Sequence, residues 1–239
     1  MEFREQLVHD ALEDCPYLDD QQARMPLRWQ MRSLTGEELD VALGEGDRRV
    51  GRMLYRTQCP SCSACEPLRM IVDEFQPSKS QRRVWRKNQD IKVTVGPAMY
   101  SEERLVLYNR HKLERGLSKD GKEMTPQGYE GWFLRSCVQT VEMCFELNGR
   151  LVGGSIVDVG ARDTSSVYHF FDPDLANRSL GTFSALVEVA WCQSRGGRYH
   201  YLGLYVGGCD QLSYKGRFNP HERRVGGVWS SQTEEALVD

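Results

Sequence analysis

The sequence predicts an α/β (α+β) fold, a mixed β-sheet flanked by helices, with a cysteine-bearing N-terminal region. Three observations carry that expectation. VEMCFEL and RLVGGSIVDV flank Asn148-Gly149, the strongest short hairpin signal. A third strand, SVYHFFDP, an apolar-rich helix over 179–194 and a fourth strand, RYHYLGLYV, then follow in order. Ahead of them, YRTQCPSCSACEPLR places Cys59, Cys62 and Cys65 three residues apart between arginines.

Each element has a local reason. Thr35-Gly36-Glu37-Glu38 has the form of a capping box and opens a short helix that Gly44 and Gly46 end. EPLRMIVDEF, entered through Pro67, reads as a strand, and IKVTV, stopped by Gly96-Pro97, as another. Ser101 N-caps SEERLVLYNRHKLERG, with Glu102 and Glu103 in its first turn and basic residues toward its end at Gly116. Thr125-Pro126 starts a further helix, whose apolar face is Tyr129, Trp132 and Phe133. Pro173 ends the third strand and Gly196-Gly197 ends the last helix. The expected division is an N-terminal region over 1–97, a second domain over 98–224 and a loose tail over 225–239.

A chain of 239 residues suffices for one large domain or two modest ones. At 40% hydrophobic and 27% charged it reads as folded rather than disordered. No apolar run approaches the roughly 20 residues that cross a bilayer, so no membrane association is expected. The acidic, amphipathic N-terminus is neither a secretory signal nor a transit peptide, which predicts a cytoplasmic protein. In that reducing compartment the eight cysteines are not expected to form disulfides, and Cys137, Cys144 and Cys192 read as plain buried thiols. The net charge of −3 excludes a uniformly basic nucleic-acid binder. Charge is nevertheless clustered: Lys79–Lys92 holds six Lys/Arg against one Asp, and a second basic region runs from Arg195 to Arg224.

The order of hairpin, strand, helix and strand is typical of acyltransferases of the N-acetyltransferase fold. In that fold the turn entering the central helix holds the acyl donor on backbone N–H groups. The acetyl-coenzyme A version asks for Arg/Gln-x-x-Gly-x-Gly/Ala; here the run is Arg178-Ser179-Leu180-Gly181-Thr182-Phe183. Phe183 in the last small position is expected to obstruct a pyrophosphate. Downstream, LGLYVGGCDQLSYKGRFNP puts Gly203, Gly207 and Gly208 where a strand gains nothing from them unless something approaches its backbone closely. Cys209, Tyr214 and Lys215 follow, Lys215 being a mobile cation suited to phosphate or carboxylate.

The runs CPYLDDQQARMPLR, YRTQCPSCSACEPLRMIV, FQPSKSQRRVWRKNQD, SVYHFFDPDLANRSLGTFSALVEV and YLGLYVGGCDQLSYKGRFNPHE together resemble the aminoacyl-tRNA–protein transferases, in particular the short bacterial aspartate/glutamate leucyltransferase type. The resemblance covers roughly residues 9 to 224. It implies a Cys-bearing N-terminal region and an N-acetyltransferase-like C-terminal half. It also implies movement of an amino acid from the 3′ ester of aminoacyl-tRNA onto the α-amine of proteins beginning with Asp or Glu, marking them for degradation.

Such a reaction needs no strong base, because roughly a tenth of an α-amine is already neutral at pH 7. Alignment and oxyanion stabilisation matter more. Candidate catalytic residues are Asp172, His169, Tyr168, Tyr214 and Lys215, with His200 as a second histidine on an active-site strand. A nucleophilic Cys209 is not needed, since ester-to-amine transfer can be direct. Donor and tRNA candidates are Arg82, Arg83, Trp85, Arg86, Arg178, Ser179 and Gly181. An acidic acceptor side chain calls for a buried cation, for which Arg69, Arg178, Lys215 and Arg217 are candidates. The chemistry requires no cofactor. The C-x2-C-x2-C run with Cys15 reads either as a zinc or iron–sulfur site or as a thiol-lined structural loop. Eukaryotic relatives carry a second cysteine where Leu18 stands here. Three alternatives stay open: an arginyl donor, a coenzyme A-dependent N-acetyltransferase, and a zinc-containing nucleic-acid-binding module.

Overall fold

The computed structural model describes residues 5–118 and 121–232. Its N-terminal strands are β1 (Glu5–His9), β2 (Leu12–Asp14), β3 (Gln22–Arg24) and β4 (Leu27–Gln30). Then come α1 (Gly36–Gly44), β5 (Arg48–Val50), β6 (Met53–Tyr55) and β7 (Glu66–Ile71). The middle of the chain forms α2 (Lys79–Lys87), β8 (Lys92–Pro97), α3 (Glu102–Glu114) and α4 (Pro126–Tyr129), which runs on as a wider turn to Leu134. The rest comprises β9 (Thr140–Leu147), β10 (Arg150–Val159), β11 (Thr164–Phe171), α5 (Leu180–Ser194), β12 (Tyr199–Tyr205), α6 (Asp210–Ser213), β13 (His221–Val225) and β14 (Val228–Gln232).

The local signals act as expected. Thr35 and Glu38 close a capping box on α1, and Ser101 Oγ accepts the Arg104 N–H at the start of α3. Asn148 and Gly149 both take positive φ, 52° and 78°, as the tight β9–β10 turn requires. The basic stretch was legible only as charge. Ser78 and Gln81 form a second capping box, and the stretch folds as α2, an amphipathic helix packed on α5.

An eight-stranded mixed sheet runs in the order β14-β13-β7-β12-β11-β10-β9-β8, flanked by helices. A four-stranded sheet of β1, β4, β6 and β5 lies beside it. On one face, Leu180 and Phe183 of α5 pack with Met143, Phe145, Val152 and Phe171. On the other, Leu105 and Tyr108 of α3 pack with Tyr129, Phe133, Ile156 and Phe170. Burial of this order, at about 25 cal/mol per Å² of apolar area, is the main force holding the layers together.

The division expected at residue 97 falls at the end of β8, a strand of the large sheet, and β7 of the N-terminal region lies between β12 and β13. The two regions therefore share one sheet. Residues 225–232 depart from the expected loose tail: they complete the β13–β14 hairpin, which pairs with β7 at the sheet edge. Residues 233–239 of that expected tail lie outside the described residues.

One feature of the sheet makes room for a site. Among the described residues the β11–β12 pair is the only parallel one, and it is paired only at Thr164↔His200 and Ser165↔Tyr201. Just beyond, β11 shifts register against β10 opposite Ile156/Val157, and β12 shifts against β7 between Tyr201 and Gly203. Bulges bend strands, and here the two strands part.

Candidate active site

The parted strands open a cleft of about 930 Å³. Ser166, Tyr168 and His169 line it from β11, and Leu202, Gly203 and Leu204 from β12. The first turns of α5 contribute Ser179, Gly181, Thr182 and Ser184, and the segment after β12 contributes Tyr214 and Lys215. Arg48, Tyr17, Tyr55, His111 and Glu188 also line it, as do the charged side chains of Glu13, Arg49, Arg115 and Asp210.

Ser179 takes the left-handed conformation (φ 55°) and turns the chain into α5, a helix of 15 residues. That places the unpaired N–H groups of the first turn, with their partial positive charge, at the cleft. Phe183 does not obstruct it. Its ring is buried among Trp85 (5.6 Å) and Phe145 (5.9 Å), on the side of α5 that faces the core. The expected obstruction by a bulky residue in the sixth motif position is therefore corrected: helical spacing turns that side chain away from the donor turn.

Across the cleft, two cations flank Gly203. Its φ of +97° suits glycine, and a Cβ there would lie 3.2 Å from both Arg48 Nη2 and Lys215 Nζ. Lys215 is buried, and its Nζ donates to Leu204 O (2.9 Å). Burial, and secondarily the Arg48 charge, lowers the Lys215 ammonium to about 7. Arg48 donates to Ser165 Oγ (2.7 Å) and to Ser166 O. Burial lowers its pKa too, partly opposed by Tyr55, Asp158 and Tyr17.

A second buried group lies under α5. Glu188 accepts hydrogen bonds from Ser155, Ser166 and Ser184 and stands 3.1 Å from His200 Nε2. Burial alone would raise its pKa, but the His200 hydrogen bond and charge, with the serine hydroxyls, hold it at about 2. Ser166, Glu188 and His200 do not form a nucleophilic triad. Ser166 and Glu188 both meet Nε2, while Nδ1 is engaged by Thr164 (2.8 Å). A triad needs the acid and the nucleophile on opposite ring nitrogens. Ser166 donates its own proton to Glu188, so it is not activated.

His169 stacks on Phe171 (5.6 Å), and burial lowers its pKa to about 4. His111 accepts the Phe171 N–H on Nδ1 (3.1 Å), and burial lowers it to about 3. Both imidazoles are neutral near pH 7 and weak as bases. The Tyr168 and Tyr108 ring centroids are 5.2 Å apart; burial raises the Tyr168 phenol, and it pushes that of Tyr214 up to about 12.

Several candidates sit elsewhere. Asp172 is fully buried outside the cleft lining, accepts the Asp174 N–H, and lies 2.7 Å from Arg150 and 3.3 Å from Arg110. It ends β11 as a carboxylate paired with two arginines. Arg69 is bound to Glu222 (2.7 Å) and Tyr201 and sandwiched between Tyr199 and Trp229, which uses up its charge. Arg178 makes a two-pronged pair with Asp90 (2.8 and 2.9 Å) on the surface, and Arg217 is exposed outside the cleft. Neither reads a ligand in the cleft. Arg82, Arg83, Trp85 and Arg86 project from α2 onto the surface, and no carboxylate of the described residues pairs with these arginines.

The cysteines are drawn toward one another. The Cys65 thiol is pushed up to about 12, first by burial and then by Cys15, Cys59, Cys62 and Cys209. The Leu18 N–H donates to Cys15 Sγ (3.4 Å). Among the described residues, however, no three His, Cys, Asp or Glu side chains are placed to hold a metal ion. As arranged, the thiols do not fit a closed zinc or cluster site.

Sequence reasoning missed Arg48, Tyr17, Tyr55, His111 and Glu188. Only Glu188 left a visible signal, a lone acid within the apolar run SALVEVAW.

A family model described as "Arginine-tRNA-protein transferase, C terminus" matches residues 103–225, and "Arginine-tRNA-protein transferase, N terminus" matches residues 13–83. Proteins named aspartate/glutamate leucyltransferase are similar along most of the chain. The one from Saccharophagus degradans is 34% identical over 218 residues, covering 90% of this chain and 92% of its own. The one from Methylobacillus flagellatus is 32% identical over 215 residues, covering 90% and 87%. Among solved structures, L-PGS from Bacillus licheniformis matches at a TM-score of 0.46 and 14% identity, covering 71% of this chain and 51% of its own. FemX matches at 0.44 and 8%, covering 69% and 59%.

Proposed function

The chain belongs to the arginine-tRNA-protein transferase family and is an aminoacyltransferase, and from that premise we propose that it transfers leucine from leucyl-tRNA to the α-amine of proteins beginning with Asp or Glu. The product would carry a leucine N-terminus that commits it to N-terminal-residue-dependent degradation in the cytoplasm. No helix of the described residues is long and apolar enough to cross a membrane.

The observation that carries this reading is the cleft between β11 and β12. A helix N-terminus lies on one side of it and two cations without carboxylate partners on the other, and its serine is not activated as a nucleophile. That arrangement favours direct aminolysis. The neutral acceptor amine attacks the ester carbonyl, the new C–N bond forms, and the C–O bond to the terminal ribose breaks. The 3′ oxygen then leaves with a proton released from the amine. Holding the two substrates in line can supply several kcal/mol toward the barrier. The polar walls of Tyr168, Tyr214 and Ser179 are the groups available to the developing oxyanion. The exposed arginines of α2, with Trp85 beside them, form the surface for the tRNA backbone, whose binding should weaken steeply with salt. The chemistry draws on no resident metal, and no step is routed through the cysteines.

The test is to incubate the protein with labelled leucyl-tRNA, arginyl-tRNA or acetyl-coenzyme A and peptides beginning with Asp, Glu or Ala. Leucine on the Asp and Glu peptides alone is the expected result. Transfer of arginine or acetyl instead, or of nothing, would refute the proposal.

A further inference from the structure

We infer that Arg48, together with Lys215, forms the subsite that reads the side-chain carboxylate of the acceptor's first residue. This deepens the proposed transfer and rests on that reading for the identity of the acceptor.

The argument begins with where the charges lie. Buried ions are ordinarily paired, because an unpaired charge withdrawn from water is costly. The neighbouring buried arginine obeys this rule, with Arg49 Nε 2.7 Å from Asp158. Lys215 is buried and Arg48 half-buried, yet neither has a carboxylate of the described residues within ion-pair distance, although both line the cleft. Each makes neutral hydrogen bonds that fix its position. Arg48 is tied to Ser165 and Ser166, and Lys215 to Leu204 O. Each also keeps donors to spare, since a guanidinium carries five N–H and an ammonium three. Gly203 holds open the space between them, because any side chain there would meet both nitrogens at 3.2 Å. The result is a preorganised, partly desolvated pair of donors that meet at the gap the missing Cβ leaves.

A carboxylate suits this gap better than a phosphodiester. A carboxylate ends a side chain and enters end-on, whereas a phosphodiester continues in both directions and needs an open channel. The cleft also offers the start of α5 as a separate position for phosphate. A Ser179-to-Thr182 donor side and an Arg48–Lys215 acceptor side would then face one another across the strands that part.

Direct binding tests this independently of transfer. Dissociation constants are measured for two peptides identical except for Asp or Asn at the first position. The wild-type chain should prefer Asp by about tenfold to a hundredfold, the span of a hydrogen bond to a charged group. Arg48→Gln, which retains donors but not charge, should reduce that preference below about threefold, while Arg48→Lys should restore part of it. Lys215→Met provides a second variant should Arg48→Gln fold poorly by circular dichroism, and it too should erode the preference for Asp. The inference is overturned if the wild type does not distinguish Asp from Asn, or if both charge-removing variants keep the full preference. It is also overturned if Arg48→Gln weakens leucyl-tRNA binding and leaves Asp preference intact, which would make this a phosphate subsite. The identity of the amino acid transferred, measured separately, decides the proposed reaction without affecting this result.

Discussion

Arg48 and Arg49 are successive residues of one short strand, and they lead opposite lives. Arg49 turns toward β10, where its guanidinium is buried against Asp158, itself tied to Thr140 (2.8 Å). Arg48 turns toward the parted strands, where no acid meets it. The same contrast recurs across the molecule. Arg104 is bound to Glu142 and Arg198 to Asp163, both acids being buried, whereas Lys215 is buried with only a carbonyl for company. Paired charges hold the scaffold; Arg48 and Lys215, drawn out of water without an acid among the described residues, both lie at the cleft. Alternation along a strand makes this separation possible within two residues.

The largest expected effect breaks the paired side. Arg49→Ala should lose about 3–5 kcal/mol of stability in urea unfolding, because Asp158 would be left buried without its cation, with only the Thr140 hydroxyl to meet it. Arg48→Gln should lose less than about 1 kcal/mol in the same measurement; similar losses in the two variants would abolish the distinction.

Acid should act next. Glu188 is held at about 2, so its stabilisation is complete above its unfolded value of 4.5 and is lost as pH falls toward 2. His111 and His169, lowered by burial to about 3 and 4 from 6.5, bind protons more readily when unfolded. Stability should therefore fall from pH 6.5 downward, by on the order of 3 kcal/mol for each histidine before pH 4. A flat melting temperature between pH 6.5 and 4 would contradict these assignments.

Lys215 has the reverse consequence. Its pKa falls from 10.5 unfolded to about 7 folded, so burying it is unfavourable at and below pH 7, and that penalty fades as pH rises toward 10.5. Lys215→Met should raise stability by on the order of 2 kcal/mol at pH 6 and by progressively less above pH 7. A destabilised variant at pH 6 would mean that the lysine has a structural partner after all. The smallest effect should come from the exposed pair. Arg178→Ala is expected to change stability by only about 0.2–1 kcal/mol despite its two-pronged geometry with Asp90, because water and salt screen it.

Much of the site was legible in the sequence, but unevenly. Lys215, His169, Tyr168, Tyr214, Ser179 and Gly181 all lie on the cleft, and each stood beside a strand end, a helix start or a glycine that marks a break. Asp172 had the same local credentials and failed, because Arg110 on α3 and Arg150 on β10 neutralise it from afar. Arg69 failed likewise, its charge claimed by Glu222, 153 residues away along the chain. Arg48 was missed for the converse reason: nothing near it in sequence distinguishes it from Arg49.

By itself the sequence determined what short-range forces decide. The capping box at Thr35, the positive-φ turn at Asn148-Gly149 and the apolar run of α5 act over a few residues, and all are written out in full. Only the tertiary structure decided that β7 slots between β12 and β13, that β11 and β12 separate after two paired residues, and which of the two arginines of β5 meets no acid among the described residues. Strand register and charge pairing depend on groups tens to hundreds of residues apart. Their outcome is set by the packing of the whole sheet, which no local pattern records.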